Sequence, residues 1–448
     1  MAGPAIRTLE LARSLASDPR VGPVTVVSLG AVEISDPEVS LVSAAGRRDV
    51  LAELTREVGS VVVQGDVLGL HPELVASDVP VVVDAYDPFH LEQLERTRDL
   101  PEARRRAVVR DCITSLNLQL SRADFVLCAS DRQRALWLGH LAALGRLNPV
   151  TYDSAADLSG LVAVVPFGTP ARAPAPGDRA LMSRTFPGIG PDDVVAVWGG
   201  GIYPWLDPVT LVRAVAAAER EAPGLRLVFL GTRHPVPGVD STAAAALRAA
   251  EDAGVLGRTV FFHDGWVAYE ERDRWLRAAD IAVSTHWNHL ETEFAFRTRV
   301  LDYLWCGLPV ISTSGDELAD VVERHGAGAV VPAGDVEALC RALVHLATSP
   351  EARQEGGANA RALGTSFAWQ SVSRPLADFC AAPHRAPDLA LPEEERLQLG
   401  LRLPGLAQGS LVQRTRVALR EGGPALLGRR LANRGRTVLA ALRPGRRR

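Results

Sequence analysis

Two arginines stand where a helix start ordinarily carries acids. In ADIAVSTHWNHLETEFAFRTRVLDYLWCGLPVIST (residues 279–313), a strand ends near Thr285, and a polar loop follows that holds His286, Asn288, His289, Glu291 and Glu293. A helix then runs to a stop at Gly307, with Arg297 and Arg299 in its first turns, where a cation opposes the helix dipole. A bound anion would account for both. Asp302, one turn further in, can accept hydrogen bonds from sugar hydroxyls or pair with Arg299 at i, i+3. WGGGIYPWLDPVTLVRA (198–214) puts Gly199, Gly200 and Gly201 directly after a strand, which suits either close backbone approach to a phosphate or a tight turn. Asp207 and Pro208 read as the cap and first residue of the next helix. GTRHP (231–235) sets Arg233 at a strand end as a phosphate ligand or a solvated loop residue. DGWVAYEER (264–272) offers Trp266 and the backbone at Val267 to a planar base, although capping explains Glu270 and Glu271 equally well. Nearer the start, Arg7 is another cation in a first helical turn, in GPAIRTLELARSLA. VVVDAYDPFHLEQLE (81–95) places Asp84, Asp87 and His90 after a strand, where a carboxylate or imidazole can contact sugar hydroxyls; a structural role for His90 is the alternative. There is no Asp-x-Asp metal motif, nucleophile elbow or P-loop, so a metal-independent, phosphate-handling cleft is expected.

The elements that must position these residues are legible as two series of short apolar runs separated by helical patterns. Residues 24–29, 60–64, 79–84, 124–130 and 161–166 form the first series; 194–199, 225–231, 259–264, 280–285 and 308–313 form the second. Continuous apolar strands alternating with helices imply parallel sheets covered on both faces, hence two doubly wound α/β domains. The Pro- and Gly-rich PFGTPARAPAPGD (166–178) reads as the linker between them. Ligands of such sheets sit beyond the strands' carboxyl ends, so the two domains would face each other across a cleft. The 448 residues, 47% hydrophobic and 23% charged with a net charge of −4, exclude wholesale disorder and a uniformly basic nucleic-acid binder. All basic residues are arginine, which removes lysine chemistry from any mechanism. Five scattered cysteines (Cys112, Cys128, Cys306, Cys340, Cys380) without a CxxC pair fit reduced thiols in a cytoplasmic setting and no zinc site.

Taken together, GPAIRTLELARSLA, ADFVLCASDRQRALWLG, VVPFGTP, GGGIYPWLDPVTLVRA, VFLGTRHP, DGWVAYEER and FRTRVLDYLWCGLPVI resemble bacterial GT-B fold glycosyltransferases of the family 4 type, over roughly residues 1–383. The resemblance implies an acceptor-side Rossmann-like domain at 1–170, a linker at 171–190, a nucleotide-sugar-binding Rossmann-like domain at 191–383 and a basic tail at 384–448. It implies transfer of a sugar from a nucleotide diphosphate sugar to a hydroxyl acceptor, retaining and without a metal or other cofactor. By position, Gly199, Gly200, Gly201, Arg233, Phe296, Arg297 and Arg299 would face the diphosphate, Trp266 and Val267 the base, and Asp302 the ribose. The family's Glu-x7-Glu pattern places its first glutamate at Phe294 here, so Glu291 or Glu293 would replace it against the sugar, with His90 as a further catalytic candidate. The usual Arg and Lys after the first strand of the sugar-donor domain are also missing. Met1 lies only two residues before Gly3, whereas the family opens with a buried strand, so either the native start lies upstream or the first strand is lacking and stability is low. A catalytically inactive partner subunit of the same fold is the main alternative, and a sugar-nucleotide epimerase a third.

From Leu411 onward the chain carries 11 arginines against Glu421 alone. Apolar residues recur between them at loosely helical spacing, so this tail is expected either to lie on the anionic inner face of the plasma membrane or to be a solvated basic segment. Membrane attachment would present the cleft to a lipid-linked glycan, in cell-surface polysaccharide synthesis. With no aromatic residue in the tail to stack on bases, nucleic acid is not an expected partner.

Overall fold

The computed structural model describes residues 3–45, 47, 49–232 and 241–401. Two compact units are distinguished, Met1–Leu401 and Arg402–Arg448; the second lies outside the described residues, as does the sequence-based expectation of a membrane-binding tail.

Among the described residues, twelve strands form three parallel sheets. β1 (Thr25–Ser28) pairs only with β2 (Ser40–Ser43). β3 (Val61–Gln64), β4 (Val81–Asp84), β5 (Phe125–Cys128) and β6 (Val162–Val164) lie side by side in chain order. β7 (Val194–Gly201), β8 (Leu225–Gly231), β9 (Val260–Phe262), β10 (Ile281–Ser284), β11 (Val310–Thr313) and β12 (Gly328–Val331) are arranged β12-β11-β10-β7-β8-β9. The two larger sheets carry the expected α/β design. In β4, Val82 packs into one core cluster while Val81 and Val83 pack into another. In β7, Val195 and Val197 face one core while Ala196 and Trp198 face the other. Period-two alternation between two apolar cores is what burial on both faces requires, and it explains why these strands read as unbroken valine runs.

The first part of the chain departs from a continuous sheet: β1 has only β2 as neighbour and β3 only β4, and no described strand joins the two. The Gly3–Ala16 helix covers this region, burying Leu9 and Ala12 with Val39 and placing Leu11 and Leu15 in the main core.

Two sequence-based boundaries are corrected. Residues 171–190 are packed rather than a free linker. They contain the helix Arg179–Thr185, with Met182, Phe186 and Ile189 buried in the core, while Arg172 pairs with Asp273 at 2.6 Å. Residues 384–401 are no tail. The chain crosses back to the first half, where Ala386 and Leu389 enter the core beside β3–β6 and Arg385 meets Asp124 at 2.9 Å. Asp388 forms a fully buried pair with Arg146 at 2.7 Å. Apolar side chains with buried charge partners hold this segment, and the basic composition starts only beyond it.

Candidate active site

In the six-stranded sheet the order reverses between β7 and β10: from β7 the chain winds through β8 and β9, then returns to β7's other edge. A crevice at the carboxyl ends follows from that topology. The loops that form it are the end of β7, residues 285–297 after β10, and residues 314–316 after β11.

The glycines at the end of β7 are part of the strand, a correction to the loop expected there. The pairing with β8 shifts register between Trp198 and Gly201, and Gly200 has φ 81°. A Cβ on Gly231 would lie 2.4 Å from the Gly200 carbonyl oxygen, so the two strands approach too closely for any side chain. The Gly199 N–H donates to Tyr303 Oη at 2.8 Å, a fixed internal contact; Gly199 and Gly200 form the bulge, and Gly201 returns to register opposite Gly231 at the crevice edge.

After β10, the short helix Leu290–Phe294 is capped by His289, and the helix Thr298–Cys306 ends at Gly307 in left-handed conformation (φ 68°). Arg297 is the residue before that second helix. Its counter-anion is internal: Nη1 and Nη2 donate to the two Glu291 oxygens at 2.8 and 2.7 Å, and both side chains are buried. Arg297 Nε has no hydrogen-bonding partner. Arg299 reaches the β7 bulge, donating from Nη2 to Gly201 O at 2.7 Å and lying 4.8 Å over the Trp198 ring, with Nη1 unpartnered. Both cations that oppose the helix dipole are thus compensated by acceptors, yet each keeps one N–H unspent. The Arg299–Asp302 alternative is not formed. Asp302 accepts from Arg272 Nε at 2.9 Å, and Arg272 stacks 3.6 Å over Tyr269. Glu293 is exposed; Glu291 is consumed by Arg297. Phe294, at the glutamate position of the family pattern, is half-buried and its carbonyl accepts from Gln133 Nε2 at 2.8 Å. Phe296 packs against the main core, as does Val267, and Trp266 is half-buried in a bridge to Gly231. Arg233 lies outside the described residues.

The first half of the chain supplies the opposite wall. Arg7 also has an internal anion: it binds Asp84 through Nε and Nη2 at 2.7 and 2.8 Å, fully buried, and donates to Val165 O. Asp84 is therefore a structural partner and not free to bind a sugar. The helix Phe89–Arg96, which follows Asp87, lies against the Leu290–Phe294 helix. Burial, then the charges of Glu291 and Asp84, push the Asp87 carboxyl up to about 7. Burial with Asp87 and Glu291 raises Glu92 as well. His90 packs 6.0 Å from Trp137, its Nδ1 unpartnered, and burial with nearby His140 pushes it down to about 4, so it is neutral at physiological pH.

Two features escaped the sequence. Buried His286 and Asp316 meet at 2.9 Å beneath the crevice, tying the loops after β10 and β11. The helix Asp131–Ala143 latches the halves together: Arg132 donates to Gly315 O at 2.6 Å and binds the Asp320 carboxylate, while Gln133 holds Phe294 O. An aspartate directly before the Glu317–Arg324 helix is a local capping signal for Asp316, and Arg132 lies in ASDRQRALWLG, but neither pattern names a partner. A cleft of about 900 Å³ opens between the Gly3–Ala16 helix and residues 269–274, lined by Glu10, Arg13, Tyr269 and Arg272 among others. Among the described residues no cluster of histidine, cysteine, aspartate or glutamate could hold a metal ion, and no helix is long and apolar enough to cross a membrane.

Comparison with known proteins places this geometry. Residues 194–349 match the model of the glycosyl transferases group 1 family. The D-inositol 3-phosphate glycosyltransferase of Saccharomonospora viridis is 30% identical over 231 residues, 51% of either chain; the chain spans about half the length of the curated relatives it matches. By fold it is similar to HepE of Anabaena, solved with UDP and glucose (TM-score 0.62, 14% identity, 85% of this chain and 97% of that one). It is also similar to sucrose-phosphate synthase from Thermosynechococcus elongatus (TM-score 0.58, 16% identity, 84% and 92%). Residues 194–349 thus match the glycosyl transferases group 1 family model, in a chain whose fold is that of GT-B glycosyltransferases.

Proposed function

We propose that this protein transfers a sugar from a nucleoside diphosphate sugar to a hydroxyl acceptor, with retention at the anomeric carbon and without a metal ion. The observation that carries the proposal is the pair of unspent guanidinium N–H groups, Arg297 Nε and Arg299 Nη1, at the start of the Thr298–Cys306 helix and beside the β7 bulge. The diphosphate sits there, where fixed positive groups and the helix N-terminus stabilise the charge that grows on it as the glycosidic bond breaks. Asp302, held by Arg272, presents its remaining oxygen to the ribose. Trp266 and the Val267 backbone flank the base. His90, neutral, and Asp87 face the sugar from the other wall. The acceptor proton passes to the leaving phosphate oxygen, so no lysine and no protein base is needed. Cell-surface glycan synthesis is the proposed setting, through a lipid-linked acceptor.

A panel of UDP-, GDP- and dTDP-sugars, assayed for released nucleotide and free sugar, tests this. Slow hydrolysis that persists in EDTA is the expected result. An epimerised sugar nucleotide, no binding, or activity that EDTA removes and Mg²⁺ restores would overturn it in turn as a transferase, as a catalyst or as a metal-free mechanism.

A further inference from the structure

One helix grips the glycine segment at the end of β7 from both sides. The pairing of β7 with β10 runs to Val197 opposite Ala282. Just beyond it the Tyr303 hydroxyl stands between the two strands, accepting from the Gly199 N–H at 2.8 Å and donating to Val283 O at 3.1 Å. Tyr303 is fully buried, and burial pushes its phenol up to about 12, so the hydroxyl keeps the proton that the second bond needs. A Cβ on Gly199 would lie 3.1 Å from Tyr303 Cε1 and 3.4 Å from Oη, which is why glycine stands there. One turn earlier on the same helix, Arg299 donates from Nη2 to Gly201 O at 2.7 Å. Between these two held residues, both buried, Gly200 alone is exposed, at φ 81° and with open space where a Cβ would be. A backbone segment clamped at each end and bare in the middle is preorganised: its peptide dipoles need no rearrangement to meet a charge in the crevice.

Resting on the transferase proposal, we infer that Tyr303 is a positioning residue for the diphosphate, fixing with Arg299 the form of Gly199–Gly201 that presents Gly200 to the phosphate groups. Tyr303 touches no substrate atom; it acts through the end of the strand. Phenylalanine would fill the same core space and leave Gly199 N–H and Val283 O without a partner.

The test compares the nucleoside diphosphate of the best-hydrolysed sugar nucleotide with its nucleoside, by calorimetry and by competition for the weaker ligand, on wild type, Tyr303→Phe and Gly199→Ala. The two variants disturb one contact from its two sides. Each should bind the diphosphate about ten-fold or more weakly while nucleoside affinity stays within about two-fold, because the clamped segment acts on phosphate and not on the base. Damage spread through the fold would weaken both ligands alike. Hydrogen exchange on the wild-type protein, which needs no variant, should show the Gly199 N–H protected without nucleotide. Unchanged diphosphate affinity in either variant, equal losses for diphosphate and nucleoside, or a freely exchanging Gly199 N–H overturns the inference. Wild-type protein that binds no nucleoside diphosphate, with Gly199 protected all the same, instead overturns the transferase proposal.

Discussion

Removing the Arg132 latch should open the cleft. Its Nη1 donates to the Gly315 carbonyl at 2.6 Å, its Nη2 binds Asp320, and Glu317 lies 3.5 Å from Nε. A hydrogen bond from a charged donor contributes about 1.5–3 kcal/mol. The side chain is 30% exposed and Asp320 46% exposed, so water screens the ion pairs, which add about 0.5 kcal/mol or less each. Arg132→Ala should therefore weaken closure by about 2 kcal/mol, a factor of about 30 in the closed-to-open ratio. Apparent affinity scales with the fraction of closed molecules, so KM for the sugar nucleotide should rise by up to that factor. Nucleotide release measures KM, and small-angle scattering of the same samples should show a larger radius of gyration. Since Arg132 bonds to none of the side chains proposed to hold the sugar nucleotide, Arg132→Ala at saturating substrate should retain much of its kcat. An unchanged KM together with an unchanged scattering profile would refute the idea that this contact sets the closure equilibrium.

Three further outcomes follow from the same geometry. Arg299→Ala removes one proposed phosphate contact without orphaning an acid, and should weaken nucleotide diphosphate binding by about 1.5–3 kcal/mol by calorimetry; unchanged affinity removes Arg299 from the site. Breaking the buried Arg146–Asp388 pair with Asp388→Ala should cost about 3–5 kcal/mol in urea unfolding, because an unpaired charge is left inside; a loss below about 1 kcal/mol would mean that the crossing segment 384–401 is not anchored there. Asp87 binds its proton more tightly in the folded chain, with a value raised to about 7 from an ordinary 3.8, so it lowers stability as pH climbs from about 4 to 7. Asp87→Asn should then raise Tm relative to wild type at pH 8 and do so much less at pH 4; an equal Tm difference at both pH values contradicts the raised pKa.

What could be read in the sequence was what local physics dictates. All ten valine-rich runs contain strands; in β4, β5, β7, β8, β10 and β11 burial on both faces demands apolar residues, whereas β1 and β3 keep exposed positions. β2 and β12 escaped: SLVS and GAVV are too short and too mixed to stand out, and pairing with β1 and β11 makes them strands. Asp207, Asp316, Asp335 and Ser349 cap helices through contacts to the backbone three residues on, a signal the chain carries locally. Partnership at long range was not legible. Arg7 and Arg297 stand out as cations at helix starts, which suggested external anions, yet Asp84 lies 77 residues from Arg7, and Glu291 reaches back only because the Leu290–Phe294 helix folds over. The same holds for Arg132 and the carbonyl of Gly315, 183 residues apart. Which acid each arginine pairs with is settled by tertiary geometry alone.

The central claim is that the β7/β10 crevice holds a sugar nucleotide. Its most direct test is a crystal grown with the nucleoside diphosphate of the best-hydrolysed sugar nucleotide. The account predicts the diphosphate at the start of the Thr298–Cys306 helix, within hydrogen-bonding distance of Arg299 and the Gly200–Gly201 backbone, with the ribose at Asp302. A diphosphate bound instead in the cleft between the Gly3–Ala16 helix and residues 269–274, with the crevice left empty, would contradict it.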